Sequence, residues 1–442
     1  MKHTPAWLTW FLALMAMAIV LRAGLAFTYA PAHTTDTEGY LYIARLMHDL
    51  NLRGNNAARP PVYPGLIALV QLNENAVWAV QSILGISVSA LLYLVTWRLT
   101  HRAWLAFLAG ALHSVNLAQL YFEGMILAET VTTFLFVLSL ALLVLRFRVR
   151  ERWPRTELVL GLLAAALALT RPQMLFLSGA LVPLVWVRRR AEPVRTKLAA
   201  EGLLVSPVVV FVLGWSLINL RTAGYFGLTS LSGYGLTDMV GNYMEYAPDK
   251  YAVVRDIYVE HRDARVAVRG NYAQTVWAAF WDMSEATGLD YSGLSRLLGQ
   301  VSIDLIRAHP ALYLKNVALG WVGFWKVPNY WRLNLVHPTS LVPLLEKVWQ
   351  VERAGLLGLN GVFLGMGGVW MIRWVRRSLY GLEATLLATW MVVIVGSVAQ
   401  ALVQYGENPR YGVPFEPLMV WTVVMGLWSV ARHSSLVEPS PG

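Results

Sequence analysis

Apolar runs long enough to cross a bilayer recur along the chain, separated by short polar connections. Runs over about 7–29, 76–97, 103–120, 125–145, 157–170, 174–187, 199–219, 351–374, 382–404 and 413–430 predict about ten transmembrane helices. Those at 157–170 and 174–187 are short for a bilayer and must borrow flanking residues. From 221 to 347 charged residues, glycines and aromatics mix, and the one clean apolar run is 311–327. Crossing there would put the basic Arg373 to Arg377 connection on the wrong side. The run is therefore expected along the outer interface, with Trp321, Trp325, Tyr330 and Trp331 at headgroup level. The expected fold class is all-α, a polytopic membrane protein in three parts. Residues 1–220 form an N-terminal transmembrane module with an outer-face catalytic loop, 221–349 an extracytoplasmic and interfacial region, and 350–442 a C-terminal transmembrane module.

Basic clusters mark alternate connections: Arg98 and Arg102; Arg146, Arg148, Arg150, Arg152 and Arg155; Arg188, Arg189, Arg190, Arg195 and Lys197. The positive-inside rule makes these cytoplasmic, together with Lys2 and Arg432. The loop holding Asp36 and the turns holding Glu123 and Arg171 then lie outside. The first run is too long for a signal-peptide core and lacks a small-residue cleavage site, so it is expected to be retained.

With 57% hydrophobic and 14% charged residues, the 442-residue chain cannot hide these runs in one soluble core. Its net charge of +10 raises nucleic acid as a partner. Because the arginines flank apolar runs, they read as topology signals and no nucleic acid is expected. The absence of cysteine excludes disulfides and thiolate metal sites, and leaves the compartment open.

The polar stretch after the first run, from His33 to Arg45, carries Asp36 and Glu38. Thr35 followed by Glu38 is a capping-box pattern, so a helix is expected with Asp36 in its first turn and Asp36, Tyr40 and Ala44 on one face. Helix capping alone would account for both acids. Three further features accompany them: Arg22 inside the first run, Ala58-Arg59-Pro60-Pro61-Val62-Tyr63-Pro64 before the second, and Glu407-Asn408-Pro409-Arg410-Tyr411 near the C-terminus.

In this order the motifs resemble those of the polytopic C-type glycosyltransferases, specifically the protein-mannosyltransferase and RgtA/B/C/D-like group that use lipid-linked sugars. The resemblance rests on the arginine in the first span, the Asp-x-x-x-Tyr-x-x-x-Ala loop helix and the Arg-Pro-Pro-x-Tyr-Pro motif, and between the two ends of the chain it is mainly hydropathy. It implies an inverting transferase that moves a sugar from a polyprenyl-phosphate donor to a lipid, glycan or protein acceptor at the outer face of the cytoplasmic membrane. It also implies a second acid at Glu129, at the start of the fourth span. Arg171 stands where similar proteins commonly carry lysine.

Such a transfer needs a base for the acceptor hydroxyl and positive charge for the departing phosphate. Asp36 is the expected base. Glu38, two residues on, points elsewhere and is a cap or helper. Glu129 is the second acid, with Glu123 as its nearby substitute and a buried, protonated carboxyl as its structural alternative. Arg59, Arg171 and Arg410 are the expected phosphate ligands, guanidinium being always charged and forked. Tyr40, Tyr63, Tyr411 and Arg22 complete the substrate-binding set, although arginines near span ends also snorkel to the interface. No cofactor is required, and a divalent ion on Asp36, Glu38 and Glu129 is compatible with the sequence. The expected partners are the donor, the acceptor and membrane lipids. The alternative class is a transporter or flippase for a lipid or amphiphile, against which the chain shows neither inverted repeats nor charges at mid-membrane depth.

Overall fold

The computed structural model describes residues 5–147, 155–379 and 381–434. These are helical and short-looped, with one isolated parallel bridge, Ala32 to Met125, as their only β pairing. The first seven helices are α1 (Ala6–Thr28), α2 (Thr37–His48), α3 (Val62–Leu69), α4 (Glu74–Thr100), α5 (Ala103–Ser114), α6 (Leu117–Gly124) and α7 (Glu129–Phe147). Among the described residues six helices are long and apolar enough to cross a membrane: Ala6–Thr28, Glu74–Thr100, Val194–Ala223, Thr339–Val375, Leu382–Ala401 and Asn408–Arg432. The α5–α6 pair, bent by 51°, adds a seventh if it is one span. The protein is thus an all-helical, multi-pass membrane protein. The other three expected crossings are helices of 19, 14 and 13 residues (α7, Arg155–Ala168 and Phe176–Arg188), at or below the length a bilayer needs. Lys2, Arg148, Arg150 and Arg152 lie outside the described residues.

The three largest apolar clusters among the described residues hold the chain together. The largest joins α4, α7 and the C-terminal helices around Phe136, Phe415 and Trp421. A second packs the loop helices around Tyr63, Tyr121 and Trp331. The third lies within the segment after residue 230, around Tyr234, Tyr258 and Leu298. Here Gly233 is required, because a Cβ on it would fall 1.9 Å from the Ser295 carbonyl oxygen; Leu231–Val240 and Tyr291–Ala308 approach backbone to backbone.

The aromatic residues expected at headgroup level also take part in packing within the protein. Trp325 and Trp331 are buried, Trp331 stacks 3.9 Å from Tyr121, and Tyr330 meets Phe122 edge-on at 5.1 Å. Trp321 donates its indole N–H to Ser397 Oγ at 2.9 Å. Arg189 likewise leaves the basic cluster: it is buried between Glu157 at 3.0 Å and Glu192 at 2.8 Å.

Candidate active site

The loop after α1 is sewn to the stretch before α7, and this brings two distant acids together. The Ala32 amide donates to the Gly124 carbonyl (2.8 Å), and the Ile126 amide to the Ala32 carbonyl (3.2 Å). Thr37 Oγ1 donates to the Ile126 carbonyl (3.2 Å) and accepts from the Thr34 amide (2.9 Å). Thr34 and Thr37 thus take the place of the expected capping box. Asp36 stands just before α2, with no capping hydrogen bond of its own, and its carboxylate is free to face Arg59. Glu129 opens α7 three residues after Ile126.

Arg59 is fixed by a loop clamped to the segment after residue 225. The Ser230 amide donates to the Ala57 carbonyl (2.8 Å), and Thr229 Oγ1 to that of Ala58 (2.7 Å). Arg171 precedes Pro172, which starts a short 3-10 turn, and Arg410 follows Pro409 in the short helix Asn408–Gly412.

These side chains form one alternating ionic chain. Arg59 Nη2 binds Asp36 Oδ1 at 2.8 Å, and Arg410 Nη1 binds Asp36 Oδ2 at 2.6 Å. Arg410 Nε reaches Glu129 Oε1 at 2.5 Å, and Arg171 Nη1 lies 3.1 Å from the same oxygen. Glu407 Oε2 completes the set, 3.3 Å from Arg410 Nη1. Arg59 lies over the Tyr40 ring and Arg171 over the Tyr411 ring, each at 4.5 Å, so both guanidinia are also held by cation–π contact. Arg59 Nε and Glu129 Oε2 have no hydrogen-bond partner.

Burial pushes the Asp36 carboxyl upward, but the Arg59 and Arg410 guanidinia outweigh it and hold the group well below the ordinary carboxylate range. Glu407 goes the other way: burial raises it, Arg410 only partly opposes, and the charges on Asp36 and Glu129 add to the rise. Asp238 is also raised well above its ordinary value, by burial first and then by the nearby Glu407.

A cavity of about 640 Å³ opens beside this chain. Asp36, Tyr40, Arg59, Arg171, Glu407 and Tyr411 line it, together with residues of the segment 229–291. Several expected residues lie elsewhere. Arg410 and Glu129 are buried behind the lining, so Arg410 is saturated by carboxylates where a phosphate ligand was expected. Tyr63 is fully buried, donating to Gln81 Oε1 at 3.0 Å and meeting Tyr40 edge-on, which makes it a packing residue. Glu38 points to solvent, its side chain 68% exposed and 3.8 Å from His33. Arg22 is spent on Glu123 in a buried bidentate pair at 2.8 and 2.5 Å. The pair needs Gly85, where a Cβ would sit 1.8 Å from Glu123 Oε1.

Asp36, Glu38 and Glu129 therefore do not converge as a cation site: one faces solvent and the other two hold arginines. Among the described residues no group of three or more His, Cys, Asp or Glu is gathered for a metal. Sequence reasoning missed Glu407 and Asp238 as cavity residues. The signals were present as an acid three residues before Arg410 and a lone acid in the otherwise neutral Leu231–Val240 helix.

The fold is similar to that of a solved membrane oligosaccharyltransferase. Among solved structures the chain is similar to the apo oligosaccharyltransferase of Archaeoglobus fulgidus, with a TM-score of 0.53 and 12% identity, covering 97% of this chain and 51% of that one. It also matches ArnT from Cupriavidus metallidurans bound to undecaprenyl phosphate, at TM-score 0.36 and 13% identity, over 97% of this chain and 79% of that one. The chain spans about half the length of the oligosaccharyltransferase. No family model matches the sequence, and no curated protein matches it.

Proposed function

We propose that the protein transfers a sugar from a polyprenyl-phosphate-linked donor to a hydroxyl of a lipid, glycan or protein acceptor, at the outer face of the cytoplasmic membrane. One observation carries this reading: an ionised carboxylate, Asp36, lines a cavity beside Arg59, with Arg171 on the same lining. This supports reading Asp36 as a proton acceptor and Arg59 and Arg171 as phosphate-binding forks around one space of substrate size.

Arg59 and Arg171 take the donor phosphate, Arg59 with its unpartnered Nε. Arg410 is a positioning residue that holds Asp36 and Glu129 in place from behind. Phosphate arriving at Arg59 competes with Asp36 for the guanidinium, so the pull that depresses the Asp36 pKa weakens and its basicity rises. Asp36 then removes the acceptor O–H proton while that oxygen attacks the anomeric carbon opposite the phosphate. The bond from the anomeric carbon to the phosphate oxygen breaks with inversion, and its electron pair leaves on the phosphate, stabilised by the guanidinia. A second reading gives the proton to Glu407, favoured by its place on the lining, its single 3.3 Å ionic contact and its raised pKa. The outer-face orientation rests on the arginine-rich alternate connections.

Purified protein in detergent, given a radiolabelled polyprenyl-phosphate sugar and an acceptor extract, should release labelled product. Asp36→Asn should lose about 10²- to 10⁴-fold in rate, and Glu38→Gln should stay near wild type. Movement of the lipid across vesicle membranes without transfer would replace this reading with that of a transporter.

A further inference from the structure

Part of the cavity wall is built from residues that the ionic chain does not use. We infer that this wall is a pyranose-binding subsite, with Trp277 and Tyr291 offering ring faces and Asp238, Gln274 and Gln404 offering hydrogen bonds. All five line the cavity.

The aromatic platform is rigid. Tyr234, fully buried, stacks on Trp277 at 4.9 Å and 30°, lies 4.9 Å from the Tyr291 ring and donates its hydroxyl to the Tyr291 carbonyl at 2.7 Å. Trp277 keeps 38% of its surface exposed and has no other ring partner among the described residues, so a ligand ring has a supported face to meet. Asp238 is 1% exposed, yet its Oδ1 has no hydrogen-bond partner. A buried polar atom left unpaired is costly, and here the open space beside it is the cavity. Gln274 adopts a left-handed backbone, φ 67°, which a residue with a Cβ takes only at a cost and which recurs where a side chain must be aimed. Gly235 makes room for Gln404, since a Cβ there would come 2.9 Å from Gln404 Oε1.

The chemistry selects the ligand. The lining cations, Arg59 and Arg171, are paired within the ionic chain. The remaining lining offers two carboxamides that both donate and accept, one carboxyl and two aromatic faces. An uncharged ring with apolar C–H faces and a rim of hydroxyls satisfies all of them. The sugar has two sources, the donor's head group or a glycan acceptor. The inference deepens the transfer reading by naming the substrate class of that same cavity.

The test uses the full protein in detergent, titrated with a panel of methyl pyranosides of gluco, galacto and manno configuration and read by ligand-observed NMR. At least one should bind, and Asp238→Ala, Trp277→Ala and Gln274→Gly should each weaken it by about three- to tenfold. Gln274→Gly keeps the test sound if the others fail to fold, because glycine relieves the positive φ and the unfolding midpoint should not fall. Repeating the titration with a bound polyprenyl-phosphate hexose assigns the source. Displacement of the pyranoside marks the donor sugar's subsite, and binding alongside marks the acceptor's. If no pyranoside binds, or folded variants bind as well as wild type, the subsite is overturned. Pyranoside binding that persists in a protein without transfer activity would sink the transferase reading and leave the subsite standing.

Discussion

Replacing Arg410 separates a positioning role from a phosphate-binding one. Its side chain is 8% exposed and binds Asp36 at 2.6 Å, Glu129 at 2.5 Å and Glu407 at 3.3 Å. Asp36 keeps Arg59 and is 29% exposed, so it tolerates the loss. Glu129 is fully enclosed and would be left with Arg171 alone at 3.1 Å. Removing one partner of a buried pair typically costs about 3–5 kcal/mol, because the remaining charge stays desolvated. Arg410→Ala should lose about that much stability. Arg410→Lys should fall between it and wild type, since one ammonium cannot bridge carboxylates that the guanidinium fork reaches together. Adding Glu129→Gln to Arg410→Ala removes the stranded charge and should recover part of the loss, a coupling of roughly 1–3 kcal/mol. The assay is denaturant unfolding in detergent, with polyprenyl-phosphate binding measured in parallel. Unaltered stability in Arg410→Ala together with weakened phosphate binding would refute the positioning role and put the guanidinium in the phosphate site.

The pH profile of kcat/KM discriminates the two proton acceptors. Asp36, held below the ordinary carboxylate range, gives no acid limb near neutrality, whereas a limb above the usual glutamate value that disappears in Glu407→Gln would assign the proton to Glu407. For stability, Asp36 is depressed on folding, so its contribution is complete above its ordinary pKa and is lost as pH falls below it. Asp36→Asn should therefore flatten the acid side of the unfolding profile, which pH-dependent melting would show. Gly85→Ala should destabilise by about 1–3 kcal/mol through its clash with Glu123, although helix propensity alone predicts a gain of up to about 1 kcal/mol; a raised melting temperature would contradict the close packing. Because the chain has no cysteine, Glu38→Cys and Arg190→Cys should label from opposite sides of sealed vesicles, and labelling from the same side would overturn the topology.

The helices were legible because transmembrane apolar runs announce themselves, and the grouping of Asp36, Arg59, Arg171 and Tyr411 around one cavity follows the motif order read from the chain. The misreadings share a physical origin in tertiary partners. Thr34, Thr35 and Thr37 offer hydroxyls within four residues, and the Ile126 carbonyl, 89 positions away from Thr37, selects the one that organises the turn. Arg22 reads locally as a snorkelling or ligand-binding arginine until Glu123, 101 residues on, accepts from its Nε and Nη2. Tyr63 carries a family-like motif yet closes on Gln81. Asp238 and Gln274 lie where neither hydropathy nor periodicity gave a pattern, and only tertiary packing, for Asp238 that of Leu231–Val240 against Tyr291–Ala308, brings them to the cavity.

The charge balance of the ionic chain bears on how donor and product would be held. Arg59, Arg171 and Arg410 face the carboxyls of Asp36, Glu129 and Glu407, so the cluster brings three guanidinia to one place. A lipid-linked sugar phosphodiester brings one negative charge to them. The polyprenyl phosphate left after transfer is a monoester whose second ionisation falls near pH 6, so at neutral pH it carries more charge than the donor. Guanidinium forks attract the more highly charged phosphate more strongly. On the proposed transfer, an arrangement that stabilises the leaving group in the transition state would also retain the product. Asp36 and Glu129 would then act as internal competitors: by re-forming their pairs with Arg59 and Arg171 they would return those guanidinia to a satisfied state as the phosphate departs, while Arg410 keeps its carboxylates throughout.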